Sequence, residues 1–124
     1  MLTTASLVGF AATVSAQAAK HFYQSVLGLA LVEDTPFALV FNSNGTTLRI
    51  QKVQQVAPVP YTVLGWVVPD IQATVHALAA KGVVFQRYDG LPQDAQGIWQ
   101  SPGGAKVAWF RDPDGNTLSL TEAA

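Results

Sequence analysis

The feature that most constrains this 124-residue chain is an internal repeat. Residues 44–50 (NGTTLRI) match residues 114–120 (DGNTLSL) at an offset of 70 residues. Residues 17–21 (QAAKH) match residues 72–76 (QATVH) at an offset of 55, and in each copy a glycine follows that opens an apolar run. Two matches in the same order predict a duplicated unit of about half the chain, with a longer loop in the second copy.

Hydrophobic periodicity and turn residues predict the same element order, β-α-β-β-β, in both copies. In the first copy we expect a strand at 7–13, a helix at 16–27 capped by Ser15, and strands at 29–34, 37–42 and 46–53. In the second we expect a strand at 61–68, a helix at 71–80 capped by Asp70, strands at 83–88 and 98–101, and a closing hairpin within 107–120. The prediction is one α+β domain over residues 1–124, with modules at about 5–53 and 61–122 and a linker at 54–60.

Composition narrows the class of partner. Hydrophobic residues make up 49% of the chain, charged residues only 12%, and the net charge is −1. With no basic stripe, nucleic acid and anionic membranes are poor partners, and no run approaches the roughly 20 apolar residues of a membrane helix. Low charge leaves an apolar surface, which favours a homodimer.

Two further features of the sequence indicate the cellular compartment of the protein. The chain has no cysteine, so disulfides and thiolate chemistry are excluded and the cytoplasm is favoured. Residues 7–18 resemble the apolar core and cleavage site of a secretory signal, but no Lys or Arg precedes them. We therefore expect these residues to form the first strand and the start of the first helix.

Three segments carry a family resemblance. Residues 21–29 (HFYQSVLGL), 65–71 (GWVVPDI) and 110–116 (FRDPDGN) resemble the vicinal-oxygen-chelate superfamily, which includes glyoxalases, bleomycin-resistance proteins and extradiol dioxygenases. The resemblance covers nearly the whole chain. It implies two tandem β-α-β-β-β modules forming a strongly curved mixed sheet around a cleft. Enzymatic members hold a divalent metal there, usually on His and Glu side chains.

The resemblance also locates the four metal-ligand positions of such enzymes, and here they carry Val8, Arg49, Val63 and Ser119. Valine has no ligand atom, a guanidinium repels cations, and a lone serine is a poor ligand. We therefore expect no metal and no other cofactor, and the metal-dependent mechanisms of the family do not carry over. The histidines, His21 and His76, fall on the two helices and are predicted to be half-buried at the core edge.

Strand alternation predicts which other side chains line the cleft. We expect Phe10 beside Val8, Gln51 beside Arg49, and Phe110 with Ala108 across the hairpin from Ser119. Trp66 and Trp109 are expected on the opposite face. Arg49 is predicted to pair with an anionic ligand group; the alternatives are solvent or an internal acid such as Glu33, Asp34 or Glu122.

A polar segment at 89–97 is predicted to be a mobile loop that covers another part of the molecule. Tyr88 and Trp99 stand at its two ends and are predicted to contact a ligand, whereas Asp94 and Gln96 are expected to face solvent. The ligand-binding set is thus Phe10, Arg49, Gln51, Tyr88, Trp99, Phe110 and Ser119.

Three functions remain open at this point. The favoured hypothesis is a metal-free protein that binds an apolar or aromatic small molecule with an anionic or oxygen-rich group. The first alternative is a glyoxalase-like lyase or isomerase, or a dioxygenase, with a displaced or non-standard site. The second is a structural or regulatory subunit whose cleft is vestigial.

Overall fold

The computed structural model describes all 124 residues, and the chain divides into two compact units, Met1–Pro58 and Val59–Ala124. The first unit contains β1 (Val8–Thr13), α1 (Ala16–Lys20) with a π-helical continuation (His21–Val26), β2 (Ala30–Asp34), β3 (Ala38–Ser43) and β4 (Thr46–Lys52). The second contains β5 (Leu64–Val67), α2 (Ile71–Ala80), β6 (Trp99–Gln100), β7 (Lys106–Arg111) and β8 (Thr117–Glu122). The predicted α+β class with two β-α-β-β-β modules is confirmed.

Each unit has an open, mixed, four-stranded sheet, with the orders β1-β4-β3-β2 and β5-β8-β7-β6. In each sheet the first pair is parallel and the other pairs are antiparallel. Gly9 pairs with Leu48, and Leu64 pairs with Leu118. These partners are 55 (64 − 9) and 70 (118 − 48) residues apart, so the two offsets seen in the sequence are also the offsets of the hydrogen-bond register.

Both helices begin at the predicted caps. The Ser15 side chain accepts a hydrogen bond from the Ala18 N–H at 3.3 Å, and the Asp70 carboxylate accepts one from the Ala73 N–H at 3.1 Å. Each cap satisfies one of the backbone donors that a helix leaves unpaired at its start. Neither helix has the length and apolar character needed to span a bilayer.

The first helix widens after Lys20, and the Leu27 N–H donates to the Phe22 carbonyl five residues earlier at 2.9 Å. Gly28, at φ +79°, then turns the chain out of the helix. The widened turn buries two successive aromatic residues, and the Tyr23 ring packs 5.8 Å from the Phe41 ring of β3. Because Phe41 pairs with Leu48 of β4, this contact identifies the face of the first sheet that the helix covers.

In the second unit α2 packs on β7 and β8. Its buried residues Ile71, Val75 and Leu78 recur at the spacing of one helix face. The Glu122 carboxylate of β8 accepts a hydrogen bond from the Ile71 N–H at 3.0 Å, which ties the start of α2 to the sheet. Burying such aliphatic side chains contributes about 1.5–3 kcal/mol each.

One predicted strand is wrong. Residues 83–88 form no ladder, and their single main-chain bond to β7 runs from the Gln86 N–H to the Trp109 carbonyl at 2.8 Å. β7 pairs instead with the two-residue strand β6, through Trp99 opposite Val107. Apolar and polar residues alternate in 83–88 as they do in a strand. A β-strand also requires regular hydrogen bonds to a neighbouring strand, and this segment lacks them. The fifth strand is also shorter than predicted and begins only at Leu64.

Candidate ligand-binding faces

Each sheet has one face covered by the helix of its own unit and one opposite face, which we call its open face. On the first sheet, cross-strand partners place nine side chains on the open face: Val8, Phe10 and Ala12 of β1, Thr47, Arg49 and Gln51 of β4, and Ala38, Val40 and Asn42 of β3. Phe10 is 51% exposed although it is a large apolar side chain. The predicted residues Phe10, Arg49 and Gln51 therefore share one face.

Arg49 is half-buried and forms no ion pair. Of the acids proposed as internal partners, Asp34 is held by Lys52 at 2.6 Å, and the hydrogen bond from Lys52 lowers the pKa of Asp34. Glu122 lies 3.9 Å from Lys106. The alternative in which Arg49 pairs with an internal acid is therefore wrong, and its guanidinium keeps its donors for solvent or a ligand.

The open face of the second sheet is built in the same way. It carries Val63, Gly65 and Val67 on or beside β5, Thr117, Ser119 and Thr121 of β8, and Val107, Trp109 and Arg111 of β7. Trp99 joins this face because it pairs with Val107. Ser119 is only 7% exposed, yet its hydroxyl forms no hydrogen bond within the chain.

Three aromatic rings cluster on this second open face. Trp109 lies 5.5 Å from Tyr88 in an edge-to-face arrangement (89°) and 6.1 Å from Trp99 at 33°. Such offset and edge-on arrangements are the favourable ones for aromatic pairs. Tyr88 and Trp99, the two residues predicted to contact a ligand, are thus brought together by Trp109, a residue that was expected elsewhere. Trp109 pairs directly with Ser119, so its predicted placement on the opposite face is wrong.

The same register corrects Phe110 and Ala108. Phe110 pairs with Leu118, is fully buried, and packs 5.5 Å from the Phe85 ring on the covered face. Ala108 is likewise fully buried. Neither residue shares a face with Ser119, so the predicted placement of both in the cleft is wrong.

The cause of this error is the length of the β7–β8 loop. The loop at 112–116 is closed by a hydrogen bond from the Asp112 N–H to the Asn116 carbonyl at 3.1 Å, which sets Arg111 opposite Thr117. Asp112 also accepts bonds from the Asp114 and Asn116 backbone N–H groups at 2.9 and 3.0 Å. With five loop residues, odd-numbered residues of β7 face odd-numbered residues of β8.

Two small residues occupy the centre of the second open face. Gly65 pairs with Ser119, and a Cβ added to Gly65 would lie 2.9 Å from the serine Oγ. The corresponding pair of the first sheet is Phe10 opposite Arg49, because 10 + 55 is 65 and 49 + 70 is 119. The two modules thus carry a large pair and a small pair at the same register position, and the small pair lies beside Trp109.

The loop at 89–97 is extensively hydrogen-bonded. The Gln93 amide donates to the Gln86 carbonyl at 2.9 Å and the Gly97 carbonyl at 2.8 Å, and its oxygen accepts the Tyr88 N–H at 2.8 Å. The Arg87 guanidinium donates to the Gln93 and Asp94 carbonyls. These bonds argue against the predicted mobility and connect the loop to the aromatic cluster.

The polar residues of this loop serve its conformation. The Asp94 carboxylate accepts bonds from the Gln96 and Ile98 N–H groups, both at 2.9 Å. Both Asp94 and Gln96 are exposed, as expected. A concavity of about 420 Å³ beside the start of α2 is lined by Gln72, Pro92, Gln93, Asp94, Ile98, Gln100 and Lys106, and none of the predicted ligand-binding residues lines it.

The residues present do not fit a divalent metal. Val8 and Arg49 lie on the first open face, and Val63 and Ser119 lie at the corresponding positions of the second unit. No group of three or more His, Cys, Asp or Glu side chains is placed to hold an ion. His21 and His76 are both exposed rather than half-buried as predicted, because each points away from the buried stripe of its helix.

Comparison with known proteins agrees with this architecture. Residues 8–120 match the family described as the Glyoxalase/Bleomycin resistance protein/Dioxygenase superfamily. No curated protein matches the chain.

Solved structures of low sequence identity share the fold. A superfamily member from Sphaerobacter thermophilus DSM 20745 has a TM-score of 0.77 at 22% identity, covering 99% of this chain and 100% of the other. TnmS3, an antibiotic binding protein from Streptomyces sp. CB03234, has a TM-score of 0.74 at 22% identity over 100% and 99% of the two chains. Lactoylglutathione lyase from Agrobacterium tumefaciens has a TM-score of 0.75 at 17% identity over 97% and 94%. The family match over most of the chain carries the assignment: this chain belongs to the glyoxalase/bleomycin resistance protein/dioxygenase superfamily.

Proposed function

We propose that this protein binds a small organic molecule on its open faces without a metal. The observation that carries the proposal is the chemistry of the four positions where enzymatic relatives would hold a metal. Here they carry two valines, an arginine without an ion pair and a serine without a hydrogen bond. These groups suit an organic ligand with few polar anchors better than a cation.

The ligand we propose is apolar or aromatic and bears an anionic or oxygen-rich group. The exposed Phe10 ring and the ring cluster of Tyr88, Trp99 and Trp109 offer apolar contact area. Arg49 offers a rigid set of donors that matches a carboxylate, phosphate or enolate. TnmS3, which shares this fold, is named as an antibiotic binding protein, so the architecture is compatible with a binding role.

We also propose that the protein functions as a homodimer. Large apolar side chains are exposed in both units, among them Phe37 at 77%, Val67 at 79% and Val84 at 73%. Exposed apolar area of this kind favours association with a second copy. Sedimentation equilibrium that gives the mass of one 13.2 kDa chain at micromolar concentration would reject this part of the proposal.

The test of the binding function begins with metal content. The purified protein is analysed by mass spectrometry before and after incubation with Mn, Fe, Ni and Zn, and we expect less than a tenth of an equivalent retained. A thermal-shift screen of planar and anionic compounds, followed by calorimetry, should then identify a ligand whose binding survives a chelator. Arg49→Ala should weaken an anionic ligand, whereas Lys20→Ala, which removes an exposed cation outside the open faces, should not.

The enzymatic alternative is tested with the same samples. Turnover of methylglyoxal–thiol adducts or catechols would replace the binding hypothesis by a catalytic one. Stoichiometric tight metal would also overturn it. If no compound shifts the melting temperature and calorimetry detects no binding, the proposal fails.

A further inference from the structure

The second open face has an arginine that sequence analysis did not select. Arg111 ends β7, is exposed, and lies on the same face as Trp109, two residues before it on the strand. Like Arg49, it forms no ion pair and no hydrogen bond. The nearest acid in sequence, Asp112, is buried and accepts hydrogen bonds from the hairpin loop.

Arg111, Trp109 and their neighbours on this face form three rows across the sheet. The row nearest the β7–β8 loop carries Val63, Thr117 and Arg111, the central row carries Gly65, Ser119 and Trp109, and the next row carries Val67, Thr121 and Val107. A cation thus stands one row from a flat ring, a spacing of about 7 Å along the strand. The two residues that share the central row with that ring, Gly65 and Ser119, are both small.

We propose that this face binds an aromatic carboxylate, with the carboxylate on Arg111 and the ring against Trp109, beside the small pair Gly65 and Ser119. This inference rests on the proposed binding function, and it gives the second face a ligand class and an anchor of its own, in addition to Arg49 of the first face. The guanidinium can hold both carboxylate oxygens at once, and the long arginine side chain spans the distance from its row to the edge of the ring.

The unpaired Ser119 hydroxyl adds selectivity. It lies in the central row beside Trp109, and its Oγ is directed toward Gly65. A ring substituent that accepts or donates a hydrogen bond, such as a hydroxyl, would find a partner there. Thr117, by contrast, already donates its hydroxyl to the Val59 carbonyl at 3.2 Å, so it contributes shape rather than a free donor.

The test compares three probes on the 124-residue protein by calorimetry and tryptophan fluorescence. The probes are 2-naphthoate, its neutral analogue 2-naphthylmethanol, and cyclohexanecarboxylate, which has the charge without the aromatic ring. We expect 2-naphthoate to bind about tenfold to a hundredfold more tightly than 2-naphthylmethanol, the range of a charge-assisted hydrogen bond. We expect it to bind about threefold to tenfold more tightly than cyclohexanecarboxylate, the range of one aromatic contact.

Variants of Arg111 then test whether this residue binds the carboxylate. Arg111→Gln should remove the preference for the carboxylate and leave the affinity for 2-naphthylmethanol unchanged, while Arg111→Lys should retain part of the preference. Lys20→Gln removes the same net charge from the first unit and should change neither affinity. Near-ultraviolet circular dichroism of each variant establishes that the aromatic cluster is intact.

Two outcomes separate this inference from the proposed function. If 2-naphthylmethanol binds as tightly as 2-naphthoate, or if Arg111→Gln leaves the preference intact, the assignment to Arg111 is overturned while small-molecule binding stands. If neither naphthalene probe binds and the wider screen still finds another ligand, the aromatic carboxylate is overturned alone. Failure of every compound overturns both.

Discussion

Gly65 faces Ser119 across the parallel β5–β8 pair so closely that a methyl group on Gly65 would lie 2.9 Å from the serine Oγ. The backbone of Gly65 has no positive φ, so its requirement is for space rather than for conformational freedom. At the equivalent point of the first sheet a phenylalanine is accommodated beside Arg49. The close approach of β5 and β8 at this point of the second face therefore requires that both members of the pair be small.

This relationship predicts coupled stability effects. Gly65→Ala should lower the free energy of unfolding by about 1 kcal/mol, because the Ser119 hydroxyl must rotate or the strands must separate. The double variant Gly65→Ala/Ser119→Ala removes the oxygen that collides and should recover most of that loss. Urea denaturation of the four proteins gives the coupling energy, which we expect to be about 0.5–1 kcal/mol. Strictly additive effects would mean that the two residues do not restrict each other.

The loop at 89–97 leads to a second prediction. Gln93→Ala leaves the Tyr88 N–H and the carbonyls of Gln86 and Gly97 without their side-chain partner, and should lower the free energy of unfolding by about 1–3 kcal/mol. Gln93→Glu keeps the acceptor but loses both donors, so it should be as damaging or more so.

The matched control for Gln93 is Gln96→Ala on the same loop, since the Gln96 side chain is exposed and forms no hydrogen bond. We expect that variant to unfold like the wild type. The emission maximum of the native state should also shift in Gln93→Ala, because Tyr88 would no longer be held against Trp109. Equal denaturation curves for the two alanine variants would contradict a positioning role for Gln93.

The repeat in the sequence predicted more of the fold than any single motif did. The offsets of 55 and 70 residues relate β1 to β5 and β4 to β8, and both offsets are kept in the register of the two parallel strand pairs. The reason is that all four strands lie in segments that the repeat aligns. The offset between β3 and β7 is 69 instead, since Val40 pairs with Arg49 and Trp109 pairs with Ser119. That single residue reverses which side chains of β7 face the binding surface.

The candidate site was predicted only in part for the same reason. Arg49, Phe10 and Gln51 follow from alternation along strands whose register the repeat fixes. Trp109 and Arg111 require the loop length between β7 and β8, which residue types within the loop did not specify. Gln93 was missed because the partners of a side-chain amide depend on the path of the chain and have no periodic signal.

Acid stability gives a prediction with a defined sign. The hydrogen bond from Lys52 lowers the pKa of Asp34 below its ordinary value, so the pair stabilises the fold at neutral pH and loses that effect as the pH falls through the lowered pKa. Lys52→Gln should therefore reduce the melting temperature slightly at pH 7, and the difference from the wild type should shrink at pH 2–3. The effect should be small and reduced by salt, because Asp34 is exposed.

The control for this pair is Arg111→Gln, which removes an exposed cation of the second unit that forms no ion pair. Its melting temperature should differ from that of the wild type by the same amount at both pH values. A difference for Lys52→Gln that grows as the pH falls would contradict the sign derived from Asp34. Lys52 also donates to the Thr35 carbonyl at 2.6 Å, so part of its contribution should persist at low pH.

Substitutions of two tryptophans on opposite faces of the second sheet should distinguish an effect on ligand binding from an effect on stability. Trp109 pairs with Ser119 on the open face, whereas Trp66 pairs with Leu120, whose side chain is buried on the covered face. Trp109→Leu should weaken a planar aromatic ligand about threefold to tenfold, the equivalent of one aromatic contact of about 0.5–1.5 kcal/mol. Trp66→Leu should leave that affinity unchanged and lower the free energy of unfolding instead.

Fluorescence distinguishes the two variants during the same titration. Quenching by a bound ring should persist in Trp66→Leu, since Trp109 and Trp99 remain adjacent at 6.1 Å, and should fall sharply in Trp109→Leu. Tyr88→Phe keeps the edge contact to Trp109 and removes only the hydroxyl, so it should preserve both quenching and affinity. If Trp66→Leu abolishes binding while Trp109→Leu does not, the ligand lies on the covered face and the open face is not the binding surface.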